Sequence, residues 1–227
     1  MSASKALQQA LGAALPVMAG YVGIGIPCGI MESNIGLNAL MAFAVSMTFY
    51  SGAGQFMISN LWMTGSPLVS IIASVSFVNT RQMLYSAAFS PYFEQARKRL
   101  TLLFAATVTD ESFGVNLAKF QEGSWTPGRA TLVNLLCMTT WGIANAAGVL
   151  LGNALSIPAA IAAFAMTSIF ICLLAMQEMN RLNILVIAAS AIAVCVFKSV
   201  GLSAPAILLG ACCGVVLGMV CRKARRA

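Results

Sequence analysis

Phe49-Tyr50-Ser51-Gly52-Ala53-Gly54-Gln55-Phe56 sits at the centre of an apolar run from about Leu37 to Met63. Two glycines, a serine and a glutamine are poor choices for a helix face that meets lipid. Backbone groups in hydrocarbon must find partners within the protein, so an interruption at this depth marks a broken helix lining a cavity. The alternative is a tight helix crossing with Gln55 bonded to a neighbour. In the first reading, Ser51, Gly52, Gly54 and Gln55 open the following half-helix. Its freed N–H groups and dipole suit an anion such as a carboxylate.

The rest of the chain fits this setting. Of 227 residues, 59% are hydrophobic and only 8% charged, about a third of the charged share of a soluble domain. Mean hydropathy is +0.88. The composition is that of an all-α polytopic membrane protein and excludes a soluble enzyme. A β-barrel would alternate apolar and polar residues over segments of about ten, and these runs do not. They cover about Leu7–Met31, Leu37–Met63, Pro67–Phe89, a weaker Leu100–Ala118, then Ala130–Leu151, Pro158–Met176, Leu182–Phe197 and Ala204–Val220. A single membrane domain, 1–227, is expected.

Charge sets the expected topology. Arg222, Lys223, Arg225 and Arg226 follow the last run. They read as a cytoplasmic anchor, not a nucleic-acid face. If all eight runs crossed, Arg97, Lys98 and Arg99 would lie opposite that tail. If the weaker run enters and leaves on one side, they join it, with Lys119, Arg129 and Arg181. Seven spans, alternatively eight, are therefore expected, with the C-terminus cytoplasmic and Lys5 and Lys198 outside.

Histidine is absent and Asp110 is the only aspartate. Histidine-based hydrolases, HExxH zinc sites and a paired-aspartate protease are excluded. No catalytic residue, metal site or cofactor is expected. The seven cysteines lie mostly within or beside apolar runs without CxxC spacing and read as packing residues.

Three further positions stand out. Gly23, Gly25 and Pro27 lie late in the first run. Proline removes a backbone donor and the glycines permit unwinding, so a helix break is one reading; a kinked packing face through Gly25 and Gly29 is the other. Glu32, just beyond, is expected at the interface. Asn79 and Arg81 lie within the third run. An always-charged planar fork there suits a carboxylate, from substrate or from Asp110 or Glu111. Asp110 and Glu111 project about 100° apart on a helix. One can pair with Arg81 while the other faces a cavity and carries a proton. The residues do not rank the two. Gly210, Gly214 and Gly218 form a smooth face for another helix. Trp62, Trp125 and Trp141 read as interface anchors.

Four stretches taken in order, GIGIPCGIM (Gly23–Met31), FYSGAGQFM (Phe49–Met57), VNTRQMLYSAAFSPYF (Val78–Phe93) and DESF (Asp110–Phe113), resemble the large subunit of AzlC-type branched-chain amino acid exporters, the LIV-E family. Family members commonly carry histidine directly after the arginine; here Gln82 stands there, so no proton role falls to that position. The resemblance implies proton-coupled export of branched-chain amino acids across the bacterial inner membrane. It also implies a small hydrophobic AzlD-type partner subunit. The residues alone reach a polytopic carrier with a buried acid and base set, with a channel or non-transporting membrane subunit as the alternative.

Overall fold

The computed structural model describes residues 3–123, 125–155, 179–201 and 206–224, with isolated positions between 164 and 171. The expected run Pro158–Met176 falls largely outside these. Among the described residues the fold is all-α. Its helices are α1 (Ala3–Asn34), α2 (Ala39–Thr48), α3 (Gly52–Met63), α4 (Leu68–Ala88), the short α5 (Ser90–Phe93), α6 (Lys98–Thr107), α7 (Asp110–Gln121), α8 (Pro127–Leu155), α9 (Arg181–Ser199) and α10 (Ala206–Ala224). α1, α8 and α9 are each long and apolar enough to cross a bilayer. The expected class, a polytopic helical membrane protein with broken and re-entrant helices, is borne out.

α1 and α8 form the spine. They run parallel, Gly25 beside Ala144 and Ser33 beside Gly152, and touch at backbone distance, because glycine faces glycine. A Cβ on Gly29 would strike the carbonyl oxygen of Asn145, and one on Gly148 the carbonyl oxygen of Ile26. Further along, Gly152 meets Ser33. Gly23, Gly25 and Pro27 do not break α1, which continues through them to Asn34. The helix-break expectation is corrected. Gly25 sits against Ala144, so the packing reading holds, and neighbouring α8 supplies the contacts that keep α1 intact past its proline.

Two hairpins lean on this spine. Phe104 on α6 and Phe120 on α7 both pack on Phe89, with ring centroids 5.0 and 5.7 Å away. A continuous helix would hold them about 24 Å apart, so α6 and α7 double back at Val108–Thr109. Asn134 of α8 ties both arms. Its Nδ2 donates to the Phe104 carbonyl at 3.4 Å, and its Oδ1 accepts from Asn116 Nδ2 at 3.0 Å. The weaker run thus enters and returns, as its charges required.

The run Leu37–Met63 does the same. Leu37 and Trp62 line one cavity, where a straight helix would separate them by about 37 Å. Near the bend Gln55 Nε2 donates to Ser46 Oγ at 3.1 Å. This run belongs with the re-entrant hairpins and not, as expected, with the spans. One charge assignment changes with it. Gln9, Gly12 and Ala13 share a cavity with Lys119, Glu122, Trp125 and Arg129, so the amino end of α1, and Lys5 with it, lies on the face of the basic loops. The expectation that Lys5 lies opposite them is corrected, in the direction the positive-inside rule favours.

In a cysteine-free background, Lys5→Cys, Lys98→Cys and Glu122→Cys should react with an impermeant maleimide from one side and Ser66→Cys from the other. Labelling of positions 5 and 98 from opposite sides would show that the first hairpin crosses the membrane.

α9 and α10 pack on each other. Cβ atoms on Gly210 and Gly214 would strike Val194 and Ser190 of α9, and Gly218 lies against Val186. The smooth face serves an internal contact.

Candidate functional site

The two hairpin tips meet on one cavity lined by Tyr21 and Ile24 of α1, Tyr50 to Ala53 and Phe56 of the first hairpin, and Thr109 to Glu111 of the second. Arg81, Gln82 and Trp141 complete it. At about 50 Å³ it has room for a few waters. A whole amino acid requires the tips to part.

Each tip is built by a cap. At Phe49–Ser51 the chain leaves helical geometry, and Ser51, extended at φ −151°, accepts the Gly54 N–H on its hydroxyl at 3.1 Å. Ser51 in turn donates to Asn79 Oδ1 of α4 at 2.6 Å. Gln55 N–H goes to the Ser51 carbonyl. The first-turn amides of Gly52 and Ala53, which have no intrahelical acceptor, remain directed at the cavity end of α3. Gly52 lies under the Trp141 ring: an added Cβ would stand 3.2 Å from it. Gly54 is closed in by Phe49, so its role is space for the turn.

Thr109 caps α7 reciprocally with Ser112. Asp110 and Glu111 therefore occupy the first turn, where the helix dipole favours negative charge. They diverge as their spacing requires. Asp110 Oδ2 pairs with Arg81 Nη2 at 2.9 Å, and its other oxygen accepts from the Tyr85 hydroxyl. Glu111 Oε2 accepts from the Tyr21 hydroxyl at 2.8 Å, and the same hydroxyl lies 2.8 Å from Thr109 Oγ1. The pairing of Arg81 with an acid, left open by the sequence, falls to Asp110; Glu111 lines the cavity without a cation beside it among the described residues.

Of the site residues named from sequence, Ser51, Gly52, Arg81, Asp110 and Glu111 line this cavity, while Asn79 braces Ser51. Gln55 is buried one step behind: its Oε1 accepts from Trp141 Nε1 and its side chain faces a second cavity. Gly23, Gly25 and Pro27 are not among the lining residues. The sequence missed four aromatic contributors, Tyr21, Tyr50, Phe56 and Trp141. Tyr21 and Tyr50 carry no signal within their apolar surroundings. Trp141 is 2% exposed and stands edge-on to Tyr21 at 5.3 Å; the interface-anchor expectation is corrected for it. Trp62, 57% exposed, does lie on the surface.

What this arrangement can do follows from its parts. It offers two amides and a guanidinium to an anion, one unpaired carboxylate to a cation, and aromatic and aliphatic walls to an apolar group. A zwitterion with an apolar side chain has those three features.

The model of the AzlC protein family matches residues 16–155, the segment that builds the spine, both hairpins and the cavity. An uncharacterized membrane protein of Helicobacter pylori is 28% identical over 180 residues, covering 79% of this chain and 78% of that one. The inner membrane protein YgaZ of Escherichia coli is 26% identical over 215 residues, 91% and 86% of the two chains. The branched-chain amino acid transport protein AzlC of Bacillus subtilis is 26% identical over 182 residues, 78% and 69%. No solved structure matches the chain.

Proposed function

We propose, from the premise that this chain belongs to the AzlC family and serves membrane transport, that it exports branched-chain amino acids across the bacterial inner membrane in exchange for protons. The named function of the Bacillus subtilis relative supports the substrate class. The observation that carries the reading is the convergence of two capped half-helices and the Arg81–Asp110 pair on one cavity.

The substrate carboxylate docks at the Gly52 and Ala53 amides and the Arg81 fork. Asp110 holds Arg81 in place between turnovers. The ammonium meets Glu111. The branched side chain lies among Ile24, Phe56 and Trp141. Because proton and ammonium compete for the Glu111 carboxylate, each excludes the other, which is the requirement for exchange rather than co-transport. Parting of the hairpin tips opens the site to alternate faces. A small hydrophobic AzlD-type subunit completes the transporter, and the C-terminus faces the cytoplasm.

The test is counterflow of labelled leucine in proteoliposomes holding this chain with its small subunit. Trans-stimulation is expected, together with accumulation when a pH gradient is imposed. Flux that only follows the leucine gradient, without trans-stimulation, would indicate a channel. Glu111→Gln should keep counterflow with a raised KM and lose pH-driven accumulation. If Asp110→Asn with Glu111→Asn keeps full proton-driven transport, the acid pair is structural.

A further inference from the structure

Glu32 lies near the carboxyl end of α1, eleven residues beyond Tyr21 and so about 16 Å further along the helix. It was expected at the interface; it is 2% exposed. Glu32 borders a separate cavity of about 320 Å³ between the arms of the first hairpin, shared with Leu37, Val45, Gln55, Ser59 and Trp62. Oε1 has the Cys28 thiol at 4.0 Å, and Oε2 is buried without a hydrogen-bond partner among the described residues.

Among the described residues the surroundings hold no compensating charge. Cys28, one turn earlier on α1, is the titratable group that faces Glu32. The α2 and α3 residues of the cavity are neutral, and α8 packs against this end of α1 through Gly148 and Gly152. A buried charge without a partner is costly, and a carboxyl used only for structure would have both oxygens bonded. A buried carboxyl at the edge of a cavity, with one oxygen unpartnered and no cation beside it among the described residues, is suited to taking and releasing a proton.

Its position is equally specific. The amino end of α1 lies with the basic loops, so Glu32, at the other end, lies toward the opposite face. The wall between the two cavities is the first turn of α3. Gln55 lines the Glu32 cavity and is bonded to Trp141, and Trp141 lines the substrate cavity.

We propose that Glu32 is a second proton-binding station, reached from the face opposite the basic loops, through which the exchanged proton enters on its way to the hairpin tips. The proposal rests on the proton-exchange reading above and adds the entry residue and its side. A proton bound at Glu32 leaves it as the substrate cavity turns to accept it; no covalent step is involved.

The experiment uses the reconstituted two-subunit complex and two readouts. Wild type should release or take up protons on leucine addition. If it moves none, the exchange reading fails, whatever Glu32 does. Given proton movement in wild type, Glu32→Gln should keep leucine counterflow with an unchanged KM and lose pH-driven accumulation at least tenfold. Glu32→Asp should restore part of it. The unchanged KM separates this residue from Glu111. Retained accumulation in Glu32→Gln overturns the proposal, and so does parallel loss of counterflow, which would make the residue structural.

The second readout is modification by dicyclohexylcarbodiimide, located by peptide mass spectrometry. An adduct on Glu32 is expected, suppressed when pH is raised on the side from which Ser66→Cys labels. No adduct on folded complex, or suppression only from the basic-loop side, overturns the assignment.

Discussion

Replacing Arg81 by lysine is expected to lower leucine transport at least tenfold while the protein still folds. The charge survives, but lysine cannot give two parallel bonds to a carboxylate. A charge-assisted hydrogen bond contributes about 1.5–3 kcal/mol, which corresponds to roughly tenfold or more. The informative control is the double neutralisation Arg81→Gln with Asp110→Asn. If Arg81 only neutralises Asp110, across the 2.9 Å pair between them, removing both charges recovers transport. If Arg81 also receives the substrate carboxylate, the double variant stays as inactive as Arg81→Gln alone. Initial rates of labelled leucine counterflow decide between the two.

The second large effect concerns the spine. Gly148→Ala should destabilise the protein by about 3 kcal/mol or more, above the usual range for one methyl group too many in a core. The reason lies in what the methyl meets: the Ile26 carbonyl oxygen and, at 3.0 Å, the Gly29 Cα. Both are backbone, and no rotamer change relieves the overlap. Gly23→Ala is the matched control. It lies on α1 with open space around it, and alanine is the better helix former by about 1 kcal/mol. Thermal unfolding in detergent should fall for the first and hold or rise for the second. Equal melting of both would mean that α1 and α8 are less closely docked than their glycines require.

Much of this was legible in the sequence, for identifiable reasons. The bend at Ser51–Gly54 showed because polar and small residues are conspicuous in an apolar run. The turn at Asp110–Glu111 showed because two acids at mid-run cannot face lipid. The charge balance revealed that the second of these segments returns to its starting face. It could not do so for the first, since Leu37–Met63 carries no Lys, Arg, Asp or Glu. Two apolar half-helices read alike whether they are collinear or folded back. Pro27 was over-read: its local penalty is real, but contacts with α8, more than a hundred residues away, decide the outcome. Glu32 was misplaced for the same cause. Its cover comes from α2, α3 and the far end of α8, and nothing in its neighbours along the chain announces them. Trp141 was assigned by residue type, whereas its partner Gln55 was 86 positions distant.

The tip of the first hairpin is closed by Trp141, which bonds Gln55 and covers Gly52. During synthesis residues 39–63 emerge some ninety positions before that tryptophan exists. Until then the hairpin has polar backbone at its apex and no lid, and lipid offers nothing to satisfy it. The nascent chain must therefore be sheltered, within the insertion machinery or by an escort, until α8 arrives. Slowing translation before residue 141 should prolong that wait and expose the unfinished hairpin to quality-control proteolysis. The order in which the ribosome delivers these helices is thus a constraint written into the position of one buried indole.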